Sequence, residues 1–304
     1  MNTPKYQYLV DSKKLSFKAV ALLALSCGFS FYSNAELVAV DDFNSYTAGA
    51  AIGGQNGGTG WSTTWTFGSG ASTNTLSSYE ITYTTGGGAV IGGGNSFQIT
   101  GGSTQNATAR TVYASPDQTG QDYYVSFIFQ IVGPTGTETG TTVGNNAFNI
   151  TAKGTTVSTV NDNLIFVNNS GSKISARNEA GESAVNNQLE YATTYLAVVK
   201  YTGWDATDGV YETTQVWLNP ESTDELSVDP TITSSISVDG EGADGFAGFA
   251  MRTFFTDDAH KLYIDDLRIG TTWDAVVIPE PATSGAAFGL VGFMATMLLR
   301  RCQK

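Results

Sequence analysis

Short stretches in which apolar and polar residues alternate recur along the chain, and they predict β-strands separated by turns. The clearest stretch is 122–132. Five of its side chains share one face: Tyr123, Val125, Phe127, Phe129 and Ile131. The stretch 191–201 likewise places Tyr195, Ala197, Val199 and Tyr201 on one face. Further stretches of this kind are 37–43, 79–83, 107–113, 146–152, 163–167, 211–218, 232–238, 245–254 and 261–269. Together they predict an all-β fold, a two-sheet antiparallel β-sandwich or jelly roll.

The last part of the chain has a different pattern, because residues 282–299 contain no charge. As a helix, these 18 residues would extend about 27 Å, close to the thickness of a bilayer's hydrocarbon core. Arg300 and Arg301 follow directly, and basic residues favour the cytoplasmic side. The sequence therefore predicts one transmembrane helix. A buried helix of a soluble fold is the alternative, which the nonperiodic pattern and the basic end disfavour.

The residues Pro279, Glu280 and Pro281 stand just before this helix. A Pro-Glu-Pro motif, a spanning helix and a basic end resemble the PEP-CTERM sorting signal of Gram-negative bacteria. The resemblance covers the motif at 278–281, the helix at 282–299 and the tail at 300–304. It implies an inner-membrane-anchored precursor that an exosortase, a membrane protease, cleaves near the motif. It also implies transfer to the cell surface or the exopolysaccharide matrix.

The N-terminus has the pattern of a signal peptide at residues 1–35. Three lysines form its basic region: Lys13, Lys14 and Lys18. An apolar stretch, 19–31, follows, and small residues then predict cleavage by signal peptidase between Ala35 and Glu36. An uncleaved anchor is one alternative. Lipoprotein processing at Cys27 is another, which the continuation of the apolar stretch past Cys27 disfavours.

The predicted mature domain, 36–277, is strongly acidic and contains no cysteine. Both cysteines, Cys27 and Cys302, lie in the flanking segments. Of the 28 acidic residues only Asp11 lies in the leader, and eight basic residues remain, so the net charge of the mature chain from Glu36 to Glu280 is about −19. Such a surface repels nucleic acid and attracts divalent cations. Simple solubility outside the cell is the alternative interpretation.

The two ends of this domain also carry a resemblance. It opens on Asp41-Asp42-Phe43-Asn44-Ser45-Tyr46 and closes on 262–270, which contains Asp265 and Asp266. This outline resembles the concanavalin A-like (LamG-like) jelly rolls found ahead of PEP-CTERM tails. The resemblance implies that the first and last strands lie side by side, which would bring the two pairs of aspartates close together.

Catalytic patterns are weak in this sequence, so it predicts a noncatalytic protein. There is one histidine, His260, which we expect at the surface, and no Gly-x-Ser-x-Gly elbow. The Glu-x-Asp-x-Glu run of jelly-roll glycosidases is absent as well. A glycoside hydrolase or a polysaccharide lyase is therefore the least favoured alternative.

Acidic residues in loops suggest one structural calcium ion, because calcium takes several carboxylate and carbonyl oxygens. The candidate ligands are Asp41, Asp42, Asp265 and Asp266 at the paired termini and, in a glycine-rich loop, Asp239, Glu241 and Asp244. The alternative is that these acids cap turns through local hydrogen bonds.

Tryptophans in polar segments are candidates for polysaccharide binding, because sugar rings stack on aromatic side chains. The candidates are Trp61, Trp65 and Trp204. Trp61 and Trp65 are four residues apart and share one side of a strand, so core packing is their alternative. The prediction is an exported surface or matrix protein that binds polysaccharide. A structural or adhesive protein without a glycan ligand is the main alternative.

Overall fold

Antiparallel β-strands form the framework of this computed structural model. It describes residues 37–67, 74–100, 106–111, 121–137, 146–151, 165–168, 173–178, 181–185, 189–221, 225–235, 243–244, 248–255 and 260–277. The predicted signal peptide and sorting signal lie outside these residues. Within the described part, no helix is long and apolar enough to cross a membrane.

The described strands follow one another with few helical residues between them. They are β1 (Leu37–Asp41), β2 (Thr66–Phe67), β3 (Thr75–Ser77), β4 (Thr82–Thr84), β5 (Val90–Gly92), β6 (Ser96–Thr100), β7 (Asn106–Thr111), β8 (Tyr123–Val132), β9 (Asn146–Thr151), β10 (Ile165–Asn168), β11 (Lys173–Asn178), β12 (Gly181–Val185), β13 (Thr194–Asp205), β14 (Val210–Leu218), β15 (Ile232–Ser235), β16 (Ala243–Asp244), β17 (Gly248–Phe255) and β18 (Lys261–Gly270). A short 3-10 helix (Glu225–Ser227) and the α-helix α1 (Trp273–Val277) complete the described elements.

Two large sheets contain most of these strands. Sheet A has the order β15-β14-β13-β8-β18-β6-β3, with β1 also on β18 and β16 also on β14. Sheet B has the order β12-β11-β10-β9-β17-β7-β2, and β4 and β5 form a separate hairpin. All these pairings are antiparallel. The predicted all-β antiparallel architecture is confirmed.

The main core lies between the two sheets, as the alternation in β8 and β13 predicts. The odd-numbered side chains of β8, such as Phe127, belong to one buried cluster with Val199 of β13. Phe249 and Met251 of β17 enter the same cluster from sheet B. Both sheets therefore contribute an apolar face, which is the arrangement of a sandwich.

The opposite face of sheet A is partly covered by a second apolar cluster. Its members from sheet A are Tyr124, Ile128, Leu196, Val198, Trp217 and Tyr263. Ile81 and Ile91, beside and within the β4–β5 hairpin, and Trp273 of α1 pack on them. The Thr272 hydroxyl accepts a hydrogen bond from the Ala275 amide at 3.3 Å, which begins α1 as an N-cap.

The first and last described strands are neighbours, as the resemblance implied. β1 pairs with β18, and Asp41 stands opposite Leu267. The register of β18 against β8 shifts between Asp265 and Arg268, and Asp266 has a φ of 50°. The core-facing residues of β18 are even-numbered before this irregularity, at Leu262 and Ile264, and odd-numbered after it, at Leu267 and Ile269.

Candidate functional site

Asp41, one of the predicted calcium ligands, is fully buried and is bound on all sides by protein groups. Its Oδ2 accepts hydrogen bonds from the Tyr46 hydroxyl at 2.6 Å, from Trp65 Nε1 at 2.9 Å and from Arg110 Nη1 at 2.7 Å. Its Oδ1 accepts one from the Phe43 amide at 3.2 Å. The prediction that Asp41 is a calcium ligand is therefore wrong, because its carboxylate faces the core.

The guanidinium of Arg110 also donates hydrogen bonds to other groups of the same network. Its Nε donates to the Thr63 carbonyl at 2.8 Å, Nη1 donates to the Gly57 carbonyl at 2.8 Å, and Nη2 donates to Asn56 Oδ1 at 2.9 Å. Burial raises the pKa of Asp41, and the hydrogen bonds and the charge of Arg110 oppose that rise. The network consists of groups that satisfy one another, which is the pattern of a structural centre.

The two tryptophans predicted as a sugar platform belong to this centre and not to the surface. Trp61 is 4% exposed and Trp65 is 1% exposed. The guanidinium of Arg110 lies 4.9 Å from the ring of Trp61 and 5.8 Å from that of Trp65. Because neither ring can meet a ligand, this prediction is wrong. Core packing, the alternative suggested by their spacing, is what the structure shows.

Trp204 is the remaining predicted platform residue, and it is half-buried at the end of β13. Its ring centroid lies 4.9 Å from that of Tyr211 on β14. Gly203, with a φ of 74°, precedes it. The inward positions of β13 are odd-numbered up to Tyr201, yet Trp204 also packs against the main core. A left-handed glycine changes the alternation at that point.

The turn beyond Trp204 is closed by its own aspartate. Asp205 Oδ1 accepts a hydrogen bond from the Thr207 amide at 2.6 Å, and the Asp205 carbonyl accepts one from the Gly209 amide at 2.8 Å. The bond from Thr207 lowers the pKa of Asp205. This acid caps a turn through a local hydrogen bond.

Asp42, Asp265 and Asp266 are the other acids of the paired termini. Asp265 is fully buried, and its two oxygens accept hydrogen bonds from the amides of Gly93 at 2.9 Å and Asp266 at 2.7 Å. Burial raises the pKa of Asp265 to about 8, and the charges of Asp266 and Asp42 contribute to the rise. Asp266 Oδ1 accepts a hydrogen bond from Arg268 Nε at 3.0 Å.

These acids do not complete a metal site. Among the described residues, no group of three or more His, Cys, Asp or Glu side chains could hold a metal ion. Of the loop candidates, Asp239 and Glu241 lie outside the described residues. Asp244 ends β16, where its backbone pairs with Val210, and its side chain is not described.

His260, expected at the surface, is in fact buried, with an exposed fraction of 7%. Its Nε2 lies 3.0 Å from the hydroxyl of Tyr191. The expectation was wrong because the partner, 69 residues away in sequence, gives no local signal. Sequence reasoning also missed Arg110. Its only local signal was a single arginine within a predicted strand.

No protein-family model and no curated protein matches this chain. Among solved structures, the botulinum neurotoxin serotype D binding domain is similar, with a TM-score of 0.44 and 9% identity, over 80% of this chain and 50% of that chain. A second structure is described as "Cell entry of botulinum neurotoxin type C is dependent upon interaction with two ganglioside molecules". It has a TM-score of 0.40 and 11% identity, over 79% of this chain and 48% of that chain. The T. cruzi calreticulin globular domain has a TM-score of 0.39 and 11% identity, over 77% of this chain and 95% of that chain.

This chain spans about half the length of the two neurotoxin chains. Similarity at this level assigns neither a family nor a ligand to the chain.

Proposed function

We propose that this chain is an exported, noncatalytic protein of the cell surface or exopolysaccharide matrix of a Gram-negative bacterium, and that its β-sandwich binds polysaccharide. The leader at 1–35 and the sorting signal at 278–304 support export. Signal peptidase and an exosortase would process the precursor, which is held transiently at the inner membrane. Assignment of the sandwich to the concanavalin A-like jelly rolls is part of the proposal, and the pairing of β1 with β18 supports it.

The observation that carries polysaccharide binding is the position of Trp204. The ring is half-buried and is held against Tyr211 and the main core. A pyranose presents apolar C–H groups on one side, and a fixed aromatic ring with free surface offers a matching platform at little cost in side-chain entropy. The neighbouring Asp208 is exposed, and a carboxylate there accepts hydrogen bonds from sugar hydroxyls.

A structural calcium ion, if bound at the paired termini, would use Asp42, Asp265 and Asp266. Asp41 cannot take part because it pairs with Arg110. Asp265 already accepts two backbone hydrogen bonds, and the described acids do not form a three-ligand group. The described acids at the paired termini therefore do not fit a metal ion, and the proposed polysaccharide binding needs none.

The test separates binding from catalysis in one assay. The purified domain, residues 36–277, is incubated with insoluble polysaccharides, and both depletion of the protein and release of soluble sugar are measured. Saturable depletion without sugar release is the expected result. Sugar release that is lost on changing one acid would indicate a glycoside hydrolase or a polysaccharide lyase. Self-association without depletion would indicate a structural or adhesive protein.

A further inference from the structure

Tyr79 is an exposed aromatic residue that the protein holds in one place. It lies between β3 and β4, and its side chain is 41% exposed. Its ring stacks on that of Tyr263 in β18, with centroids 4.3 Å apart and planes at 22°. Its hydroxyl donates to Gln130 Oε1 at 2.8 Å, and its carbonyl accepts a hydrogen bond from the Ser96 hydroxyl at 2.7 Å. An exposed ring fixed by three strands is preorganised for contact.

Beneath Tyr79, uncharged residues form a row across the outer face of sheet A. In register, the row runs through Thr75, Gln98, Tyr263, Gln130 and Thr194 on β3, β6, β18, β8 and β13. These residues alternate along their strands with inward-facing members of the main core, so they face outward. Five neighbouring strands span about 19 Å at about 4.8 Å per spacing.

Hydrogen bonds within this row hold its amides in place. Gln130 Nε2 donates to the Ala192 carbonyl and to the Thr194 hydroxyl, both at 3.1 Å. Gln98 Nε2 donates to the Thr100 hydroxyl at 3.0 Å. One of the two N–H groups of Gln98 Nε2 is used there, its carbonyl oxygen is an acceptor, and Tyr79 offers the lone pairs of its hydroxyl. These two acceptor oxygens suit a ligand that carries several O–H donors.

Both ends of the row are partly open to solvent, whereas the rest of this face is covered. The second apolar cluster lies under the β4–β5 hairpin and α1, and Ile81 anchors the segment of Tyr79 in that cluster. Thr75, Gln98 and Thr194 are half-buried, whereas Gln130 and Tyr263 lie beneath Tyr79 and are 7% and 4% exposed. The reachable residues of the row are therefore polar and flank Tyr79, while Tyr263 belongs to the apolar cluster.

We propose that Tyr79 and this row form a site for a neutral saccharide chain laid across the strands of sheet A. The ring of Tyr79 would contact the C–H face of a sugar, and the acceptors of the row would bind its hydroxyls. The inference rests on the proposed polysaccharide binding but not on Trp204. It concerns the face of a sheet, whereas Trp204 lies at the end of a hairpin.

Other ligand classes fit the row less well. A peptide that adds as a strand needs a free sheet edge, whereas β6, β18, β8 and β13 each have neighbours on both sides. A lipid would need a contiguous apolar patch, and four of the five row residues are polar. An anionic polymer would meet the repulsion of the strongly acidic mature domain.

The test uses the full chain, purified in detergent and labelled with 3-fluorotyrosine. The fluorine resonance of Tyr79 is assigned from its loss in Tyr79→Phe. The probes are hexasaccharides of β-1,4-glucose, β-1,3-glucose, α-1,4-glucose and β-1,4-mannose. The expected result is a saturable shift of the Tyr79 resonance with at least one probe.

Variants then measure what each group contributes to the affinity for that probe. Tyr79→Ala removes the ring and should weaken binding about tenfold. Tyr79→Phe keeps the ring and should weaken binding about threefold, because it loses one neutral hydrogen bond. Gln98→Ala tests the row independently of Tyr79. Leu226→Ala is the control, because Leu226 is 95% exposed and lies outside the row.

Two results would overturn the inference, and they differ in what they mean for the proposed function. If the protein is depleted by polysaccharide while the Tyr79 resonance stays unmoved by every probe, binding stands and the site lies elsewhere. If neither depletion nor a shift occurs, both the site and polysaccharide binding are wrong.

Discussion

Arg110 Nη1 lies 2.7 Å from Asp41 Oδ2, and the two side chains come from different sheets. Asp41 ends β1 on sheet A, and Arg110 belongs to β7 on sheet B. Their exposed side-chain fractions are 0% and 1%. A charged pair buried between two apolar faces ties the sheets together at one point and in one register.

Removing one partner of this pair should be strongly destabilising. Arg110→Met leaves the carboxylate of Asp41 buried without its cation, and we expect a loss of about 3–5 kcal/mol in the free energy of unfolding. The double change Arg110→Met with Asp41→Asn should recover part of that loss, because it also removes the buried charge. Denaturant unfolding measures both. A loss below about 1 kcal/mol in the single variant would mean that the pair is not a structural centre.

Asp265 should make stability depend on pH. Its pKa in the folded protein is about 8, above the ordinary value of 3.8. A raised carboxyl pKa contributes stability that is fully present below the ordinary value and is lost as the pH rises through the folded value. Wild-type stability should therefore fall between about pH 4 and about pH 8 relative to Asp265→Asn.

The measurement is the slope of unfolding stability against pH, and not the stability of either protein at a single pH. Both oxygens of Asp265 accept backbone N–H groups, so the side-chain amide introduced by Asp265→Asn brings a cost that does not change with pH. Unfolding midpoints across this range should converge or cross between the two proteins. Parallel profiles would mean that Asp265 titrates near its ordinary value.

Gly60 and Gly88 form a matched pair for testing the close approach to β1. Their φ values are 81° and 80°, so alanine is equally strained at both. A Cβ at Gly60 would collide with the Val38 carbonyl oxygen, whereas a Cβ at Gly88 has open space. We expect Gly88→Ala to cost about 1–2 kcal/mol for its left-handed backbone, and Gly60→Ala clearly more. Equal losses on denaturant unfolding would contradict this packing.

Pro279 and Pro281 test the sorting signal. Proline disfavours helix and keeps a segment extended and accessible to a protease. Replacing both by alanine should leave a longer species in the membrane fraction, visible by intact mass and by fractionation. Pro134→Ala is the control, because Pro134 is exposed in a turn of the sandwich. If the double variant has the mass and location of wild type, the chain is not sorted through this motif.

The strands with clear alternation could be predicted from the sequence, and the shortest could not. β8 and β13 present the faces that their period of two requires, because one face must reach the core. β3 (Thr75–Ser77) has three residues, too few to show a period, and it is stabilised by pairing with β6. Local pattern carries little information about such a strand, since its neighbours determine it.

The candidate sites show the same limit. The spacing of Trp61 and Trp65 was consistent with core packing, but composition suggested a platform. Burial of Asp41 depends on Arg110, which lies 69 residues away, and no local pattern reports such a partner. Tyr79 was missed for the same reason, because the stack on Tyr263 joins distant parts of the chain.

The most direct test of the central claim is depletion of the 36–277 domain by insoluble polysaccharides, with Trp204→Ala and Leu226→Ala measured beside wild type. The account predicts that at least one polysaccharide retains wild type and Leu226→Ala in a saturable manner, and that Trp204→Ala is retained about tenfold more weakly. Failure of every polysaccharide to retain wild type would contradict the account and would indicate a structural or adhesive surface protein.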